Sequence, residues 1–426
     1  MLIPFVIMLL AIAVAPIVCE KFWESNRNKL LCSIVLSIPV IVYMTVNGMG
    51  HALSHQVFGD YIPFIILLLS LFVVTGGIRI SVNAAATTNL NSMLLALGFI
   101  LASFMGTTGA AMLLIRPLLE VNKKREYKSH TILFFIAMVA NAGGILTPLG
   151  DPPLFLLYLR GAPFTWFAGL TLEWLTVGVI LLLVYHFYDL YLVRKESAEA
   201  MQAPATANAK KITVEGHNNL FGVLMILLAV IFLNEQYIPA MAREDAGIFV
   251  KYLREIALAI VIVLSIVLTP KKLREANNYS WDPIVEVAVI FIGIFVTMTP
   301  ALLFLNAHAN DMGLTEPWQF YYSTGLLSSF LDNSPTAVAF HSVATGLYPE
   351  AQAGFVAGIP AVLLRAISLG AVFFGAMTYI GNGPNFMVKA IAEQNGIKMP
   401  TFFGYIFKFS LIVLLPIYVI VQLIFL

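Results

Sequence analysis

Two interruptions of apolar segments carry residue types that are able to bind a cation. GILTPLGDPP occupies 144–153 and GAMTYIGNGP occupies 375–384, and the two align at a constant offset of 231 positions. Pro and Gly interrupt helices, so these stretches leave backbone carbonyls unpaired. Carboxylate, amide, hydroxyl and unwound backbone oxygens are the ligands that hard cations such as Na⁺ prefer. The matched polar pairs are Thr147 with Thr378 and Asp151 with Asn382.

A second matched pair of polar centres precedes the two interruptions. SFMGTTGAA begins at Ser103 and SFLDNSPTA begins at Ser329. We expect both to form tips of helical hairpins, and we predict a sodium site formed by Asp332, Asn333 and Asp151. The candidate ion- or substrate-binding residues are Thr107, Thr108, Asn141, Thr147, Asp151, Asp332, Asn333, Ser334, Thr336, Thr378, Asn382 and Asn385.

Each of these side chains also has a structural alternative. A serine or threonine hydroxyl often bonds back to its own helix. Asn141 and Asn385 are able to form interhelical hydrogen bonds. Asp151 and Asp332 each precede a helix-starting Pro or Ser and are able to act as N-caps. N-capping and binding are compatible, because transporter sites are built at the N-termini of half-helices.

Two arginines lie close to the polar centres. Arg116 follows the first hairpin tip, and Arg365 lies in the apolar run before the second interruption. A buried arginine needs an anionic partner, which Asp151, Asp332 or Glu286 is able to supply. The structural alternatives are an ion pair or a side chain that extends to the membrane surface. The functional alternatives are a contact with an anionic substrate or a charge that competes with the coupling ion.

The composition indicates the environment in which these residues act. The chain has 426 residues, of which 60% are hydrophobic and 11% charged, and its mean hydropathy is +0.88. Soluble domains carry about 25% charged residues, so we expect a polytopic membrane protein whose main partner is the lipid bilayer. No basic cluster interleaved with aromatic residues indicates a nucleic acid partner. No Walker-type phosphate loop occurs, so ATP is not the expected energy source.

Apolar segments of about 20 residues predict the membrane spans. Two further stretches, 92–120 and 317–347, turn at polar centres and are predicted to be re-entrant hairpins. Lysine and arginine then concentrate in loops on one side, which places the N-terminus outside. The ten predicted spans are 2–19, 30–46, 61–75, 131–158, 165–192, 218–234, 247–268, 284–304, 354–392 and 402–425, of which 131–158 and 354–392 are broken helices.

Both halves show the same order of three spans, a hairpin, a broken helix and a final span. We therefore predict two inverted repeats, 1–192 and 218–426, joined by a flexible cytoplasmic linker at 193–217. Duplicated breaks at corresponding positions are typical of the binding site of a secondary transporter. The predicted fold class is an all-α polytopic membrane protein of inverted-repeat transporter type.

NAGGILTPLGDPP, beginning at Asn141, and FLDNSPT, beginning at Phe330, resemble the ion transporter superfamily over essentially the whole chain. This superfamily includes NhaD-type sodium/proton antiporters, citrate and dicarboxylate transporters, and arsenite exporters. The resemblance implies a homodimer with a scaffold and a moving transport domain. It also implies a location in the bacterial inner membrane.

Three functions remain open at this point. The first is sodium/proton antiport by alternating access, in which Asp332 carries Na⁺ and H⁺ in turn. The second is sodium- or proton-coupled transport of citrate or another di- or tricarboxylate, with Arg116 or Arg365 contacting the anion. The third is an intramembrane aspartyl protease, but position 148 is Pro, so the Gly-x-Gly-Asp signature is missing. We expect a transporter and not an enzyme, with no cofactor besides the sodium ion.

Overall fold

The protein folds as a bundle of α-helices. A computed structural model describes residues 2–197, 212–243, 245–350 and 352–426. Within these residues, seven helices are long and apolar enough to cross a membrane, and three shorter apolar helices accompany them. Each of the ten predicted spans contains a helix. The all-α polytopic architecture is thereby confirmed.

The described residues of the first half form ten α-helices. A π-helical segment joins α4 to α5, so that 50–75 runs as one continuous span. The helices are α1 (Ile3–Val18), α2 (Glu20–Trp23), α3 (Asn26–Val46), α4 (Gly50–Ser54), α5 (Ile62–Thr75), α6 (Thr88–Met105), α7 (Thr107–Val121), α8 (Ser129–Met138), α9 (Pro152–Leu159) and α10 (Thr171–Val193).

The second half contains eleven α-helices within its described residues. A π-helical segment again occurs in the last span, between α20 and α21. The helices are α11 (Asn218–Phe232), α12 (Ile248–Lys251), α13 (Leu253–Leu268), α14 (Lys271–Ala276), α15 (Asp282–Ala307), α16 (Pro317–Phe330), α17 (Asn333–Leu347), α18 (Ala361–Phe374), α19 (Gly383–Gln394), α20 (Phe402–Tyr405) and α21 (Leu415–Phe425).

Both polar centres form helical hairpins. Helices α6 and α7 pack against each other and meet at Gly106, whose φ of +79° is accessible to glycine at little cost. Helices α16 and α17 meet at 331–332, within the predicted limits of 317–347. The first hairpin starts at Thr88 and not at 92, because the Thr87 side chain accepts a hydrogen bond from the Leu90 amide and caps α6.

Both predicted broken helices are broken, at the centre of the bundle. Short 3₁₀ segments, Ala142–Leu146 and Gly375–Met377, separate α8 from α9 and α18 from α19. The span at 129–146 is 89% buried inside the protein, against 28% for the span at 26–46. The first broken helix is therefore surrounded by protein, which is where unpaired backbone is tolerated.

Two short antiparallel sheets differ from the sequence expectations. Phe355–Val356 (β3) pairs with Ile359–Pro360 (β4), so the predicted helical stretch 354–392 is helical only from Ala361. Positive φ angles at the two turn residues, Ala357 and Gly358, produce this hairpin.

The predicted linker 193–217 takes part in the other sheet. Its residues Ile212–Glu215 (β2) pair with Arg79–Val82 (β1), which precedes α6. The part of the linker at 198–211 lies outside the described residues. The second half therefore enters the bundle from a strand that is hydrogen-bonded to the first half.

Candidate functional site

The two hairpin tips and the two helix breaks meet around the carboxylate of Asp151. This side chain is 1% exposed. Its Oδ1 accepts hydrogen bonds from Thr107 Oγ1 at 3.0 Å and from Asn382 Nδ2 at 3.2 Å, and its Oδ2 accepts one from Asn333 Nδ2 at 2.7 Å. Asp151 and Asn382 are the N-caps of α9 and α19, and Thr107 and Asn333 open α7 and α17. All four side chains of this group, the Asp151 site, therefore lie at helix N-termini.

Two further asparagines join the breaks to each other. Asn141 Nδ2 donates to Asn385 Oδ1 at 2.7 Å, and Asn141 Oδ1 accepts from Asn382 at 3.2 Å. Asn385 Nδ2 donates to the carbonyls of Gly375 at 2.7 Å and Thr378 at 2.9 Å. Both asparagines are fully buried. The interhelical hydrogen bond anticipated for them is present, and it adjoins the Asp151 site.

The matched threonines perform the same local task in both halves. Thr147 Oγ1 donates to the carbonyl of Ser103, and Thr378 Oγ1 donates to the carbonyl of Ser329. The Leu149 amide in turn donates to Thr147 Oγ1 at 3.2 Å. The Ile380 amide donates to Thr378 Oγ1 at 3.1 Å. In this conformation both hydroxyls attach a break to its hairpin, and their oxygens bond backbone groups.

Asp332 caps α17 and does not hydrogen-bond to Asp151. Its Oδ1 accepts from the Ser334 amide at 2.9 Å, and Thr336 Oγ1 donates to its carbonyl at 2.9 Å. The Asp332 residue is partly exposed, whereas Asn333 and Ser334 are buried. Of the predicted sodium ligands, Asn333 and Asp151 are therefore in contact, and Asp332 lies beside them as an N-cap.

Arg365 does not pair with any of the three carboxylates that the sequence suggested. Arg365 Nε lies 3.3 Å from Glu173 Oε1 in the first turn of α10, and not beside Asp151, Asp332 or Glu286. Glu286 instead pairs with Lys29 at 2.7 Å. The expected partners were wrong because ion pairing between distant spans depends on helix packing, which one sequence does not reveal.

Comparison with known protein families identifies the family of this chain. A family model described as "Putative citrate transport" matches residues 1–426. The chain belongs to this family. No curated protein matches the chain. As a member of a transporter family, the protein is a multi-pass membrane transporter, in agreement with the expectation that it is not a protease.

Two cavities lie on either side of the Asp151 site in this citrate transport family member. One, of about 670 Å³, is lined by Thr108, Arg116 and, from the connector, Thr213. We call this side, where α10 ends and α11 begins, the connector side. The other cavity, of about 1450 Å³, is lined by Arg160 and His341 at the opposite end of the bundle. Asp151 lines neither cavity, so both sides are closed to it in this conformation.

Sequence reasoning missed several residues that position the site. Ser103 and Ser329 are buried and supply the carbonyls that hold the two threonines. Their hydroxyls also bond the carbonyls of Gly143 and Phe374, which are equivalent positions of the two halves. The repeated Ser-Phe dipeptide at the start of both polar centres was the available signal.

Proposed function

We propose that the protein is a secondary transporter that moves citrate or a related di- or tricarboxylate together with a cation bound at Asp151. The observation that carries this proposal is the burial of one carboxylate among side chains from both hairpins and both breaks. An ionisable group at membrane depth is costly and marks a transport pathway. The family description supplies the substrate class.

The Asp151 site has the chemistry of a Na⁺ or H⁺ site. Asn333 and Asn382 point their amide nitrogens at the carboxylate, which suits the site without a cation. Rotation of either amide by half a turn presents its oxygen instead. Together with Thr107 Oγ1 and the carboxylate, these oxygens form a hard-cation ligand set. A proton on Asp151 neutralises the same charge without this rotation.

Alternating access follows from the origin of the ligands. Every described side chain that bonds Asp151 belongs to a hairpin or a broken helix, and none belongs to the described outer spans. These four elements are able to move as one body with the ions attached. The closed form described here then lies between states in which one of the two cavities reaches the site.

A second candidate is sodium/proton antiport without a carboxylate substrate. It is favoured by the set of groups that bond Asp151, which are a hydroxyl and two amides and include no lysine or arginine among the described residues. In this version Na⁺ and H⁺ occupy the Asp151 site in turn. Asp332, one residue before Asn333, supplies a second carboxylate nearby.

Purified protein in proteoliposomes separates the two candidates. Uptake of labelled citrate and of labelled succinate is measured with an inward Na⁺ gradient, with a pH gradient, and with neither. Internal pH is recorded in parallel after Na⁺ addition without carboxylate. Gradient-dependent citrate or succinate uptake that Asp151→Asn abolishes supports the proposal. Sodium-driven pH change with no carboxylate uptake supports antiport and overturns the proposal.

A further inference from the structure

The cavity on the connector side is strongly basic. Its volume is about 670 Å³, within the range of roughly 300–1,000 Å³ that small-molecule sites occupy. Its wall consists of α7, β1, the segment around 276–280, and the end of α19. The charged side chains among its described lining residues are Arg79, Arg116, Lys123, Lys128 and Glu120. Four cations against one carboxylate make a local excess of positive charge.

Two of these cations have no anionic partner within the described residues. Arg116 is half-buried on α7, and Arg79 is half-buried at the start of β1. No described carboxylate lies within ion-pair distance of either guanidinium, although Arg79 is paired through its backbone with Glu215. The two arginines are close enough to act on each other electrostatically. Two like charges that face one cavity repel each other, and a bound anion relieves that repulsion.

A further polar group in the same wall lacks a hydrogen bond. The hydroxyl of Tyr279 is buried and has no partner among the described residues. The ring of Tyr279 is held in place by packing against Gly76 and Phe72. The Tyr279 ring therefore forms a fixed part of the cavity wall.

One stripe of α7 connects this cavity to the Asp151 site. Thr108, Met112, Arg116 and Glu120 recur every four residues and all line the cavity. At 1.5 Å per residue, Arg116 lies about 12 Å along the helix from Thr108. Thr108 is adjacent to Thr107, which donates to Asp151. The cavity thus begins where the Asp151 site ends.

We propose that Arg79 and Arg116 form a binding site for a small multivalent carboxylate on the connector side. Guanidinium groups bind carboxylates through two parallel hydrogen bonds, which favours carboxylate over a spherical anion. Two such groups match a ligand with at least two carboxylates, whereas acetate satisfies only one. The choice of a di- or tricarboxylate as ligand rests on the proposed function; the anionic character of the site rests on the cavity alone.

Calorimetric titration of the full-length protein in nanodiscs tests the site. Citrate is titrated into wild type, Arg79→Gln, Arg116→Gln, Arg116→Lys and the control Lys124→Gln, whose exposed side chain does not line the cavity. We expect each glutamine variant to weaken citrate binding about tenfold or more, since each removes charged hydrogen bonds. Arg116→Lys keeps the positive charge but loses the paired guanidinium hydrogen bonds, so its citrate affinity should lie between those of wild type and Arg116→Gln. Lys124→Gln should bind citrate as wild type does. Melting temperatures without citrate establish that the variants are folded.

The remaining arms decide the ligand class. Acetate at tenfold excess is expected not to displace citrate, and inorganic phosphate is expected to compete more weakly than succinate. Unchanged citrate affinity in both glutamine variants, or no citrate binding by wild type, overturns the site. Phosphate binding as tight as citrate overturns the carboxylate assignment.

The same variants separate this site from the transport proposal. If the wild type binds citrate, Arg116→Gln does not, and wild-type proteoliposomes take up no citrate, the site is supported and the proposed function is refuted. Citrate uptake with wild-type KM in both arginine variants supports the function and refutes the site. Asp151→Asn should abolish uptake while retaining citrate binding, because Asp151 does not line the cavity.

Discussion

Asn382 donates a hydrogen bond to Asp151, and the two residues are 231 positions apart, which is the offset that aligns the two interruptions. Their backbone dihedral angles are nearly the same, at φ −142° and ψ 140° for Asp151 and φ −148° and ψ 140° for Asn382. Equivalent positions of two halves touch only near an axis that relates the halves. The contact thus joins a carboxylate to its amide counterpart at the centre of the molecule.

Replacing Asp151 with asparagine should abolish cation-coupled uptake. The amide fills the same volume and still accepts from Thr107, but it carries no charge for Na⁺ or H⁺ to neutralise. We expect uptake to fall to the level of liposomes without protein. The matched change, Asp332→Asn, removes a carboxylate that bonds a backbone amide only. Wild-type uptake by Asp151→Asn would show that the cation binds elsewhere; a greater loss in Asp332→Asn would move the site to the second hairpin.

Asn382→Asp should make the stability of the protein depend on cations. Two carboxylates would then face each other where a 3.2 Å hydrogen bond now lies, and their repulsion requires Na⁺ or a proton between them. We expect a lower melting temperature than wild type in Na⁺-free buffer at high pH, and recovery on addition of Na⁺ or on acidification. Asn310→Asp, on the exposed segment after α15, is the control. A melting temperature that does not respond to Na⁺ would contradict a cation site here.

The close approach of the chain at each break should make its glycines irreplaceable. A Cβ at Gly150 would overlap the carbonyl of Gly144, and a Cβ at Gly381 would overlap the carbonyl of Gly375. Gly150→Ala should therefore destabilise by at least the roughly 1–3 kcal/mol typical of overpacking. Gly383→Ala, two residues after Gly381, meets nothing within 4 Å and should melt as wild type. Equal melting temperatures for Gly150→Ala and Gly383→Ala would refute the tight break.

The predicted inverted topology fixes which loops a probe reaches from outside. Lys124, between the first hairpin and the first broken helix, is exposed and predicted to be cytoplasmic. Asp311, before the second hairpin, is exposed and predicted to be external. With both native cysteines changed to serine, an impermeant maleimide should label Asp311→Cys but not Lys124→Cys in intact cells, and both after permeabilisation. The reverse pattern would mean that the chain is inserted in the opposite orientation. Labelling of both positions in intact cells would contradict the prediction that the hairpins are re-entrant.

Local patterns predicted the hairpins and the breaks, because Gly and Pro mark where helices end. Of the candidate binding residues, Thr107 and Asn382 bond Asp151 in the structure. The prediction assigned the central role to Asp332, but in the structure the neighbouring Asn333 bonds Asp151 and Asp332 caps α17. A sequence does not tell which of two consecutive polar side chains at a tip points inward. That choice depends on the angle at which the hairpin packs against the opposite break.

The pairing of Arg365 with Glu173 was likewise out of reach, since it depends on α18 lying beside the start of α10. The same holds for β2, whose strand partner lies more than a hundred residues earlier in the chain. These contacts join residues that are distant in the sequence, so a single sequence does not predict them. A sequence predicts features whose residues lie close together along the chain. The residues of each helix break are close together along the chain, whereas those of the ion pair and of the strand pair are not.

The convergence of four helix N-termini on Asp151 gives the site an electrical character of its own. Each helix N-terminus carries the equivalent of about half an elementary positive charge. Thr107, Asn333 and Asn382 bring three such ends to the carboxylate, and its own helix supplies the fourth. The backbone therefore balances a buried anion with dipoles that neither lose a proton nor change rotamer. If the hairpins and broken helices move as proposed, these dipoles travel with the bound ion, so its electrostatic surroundings stay the same on both sides of the membrane.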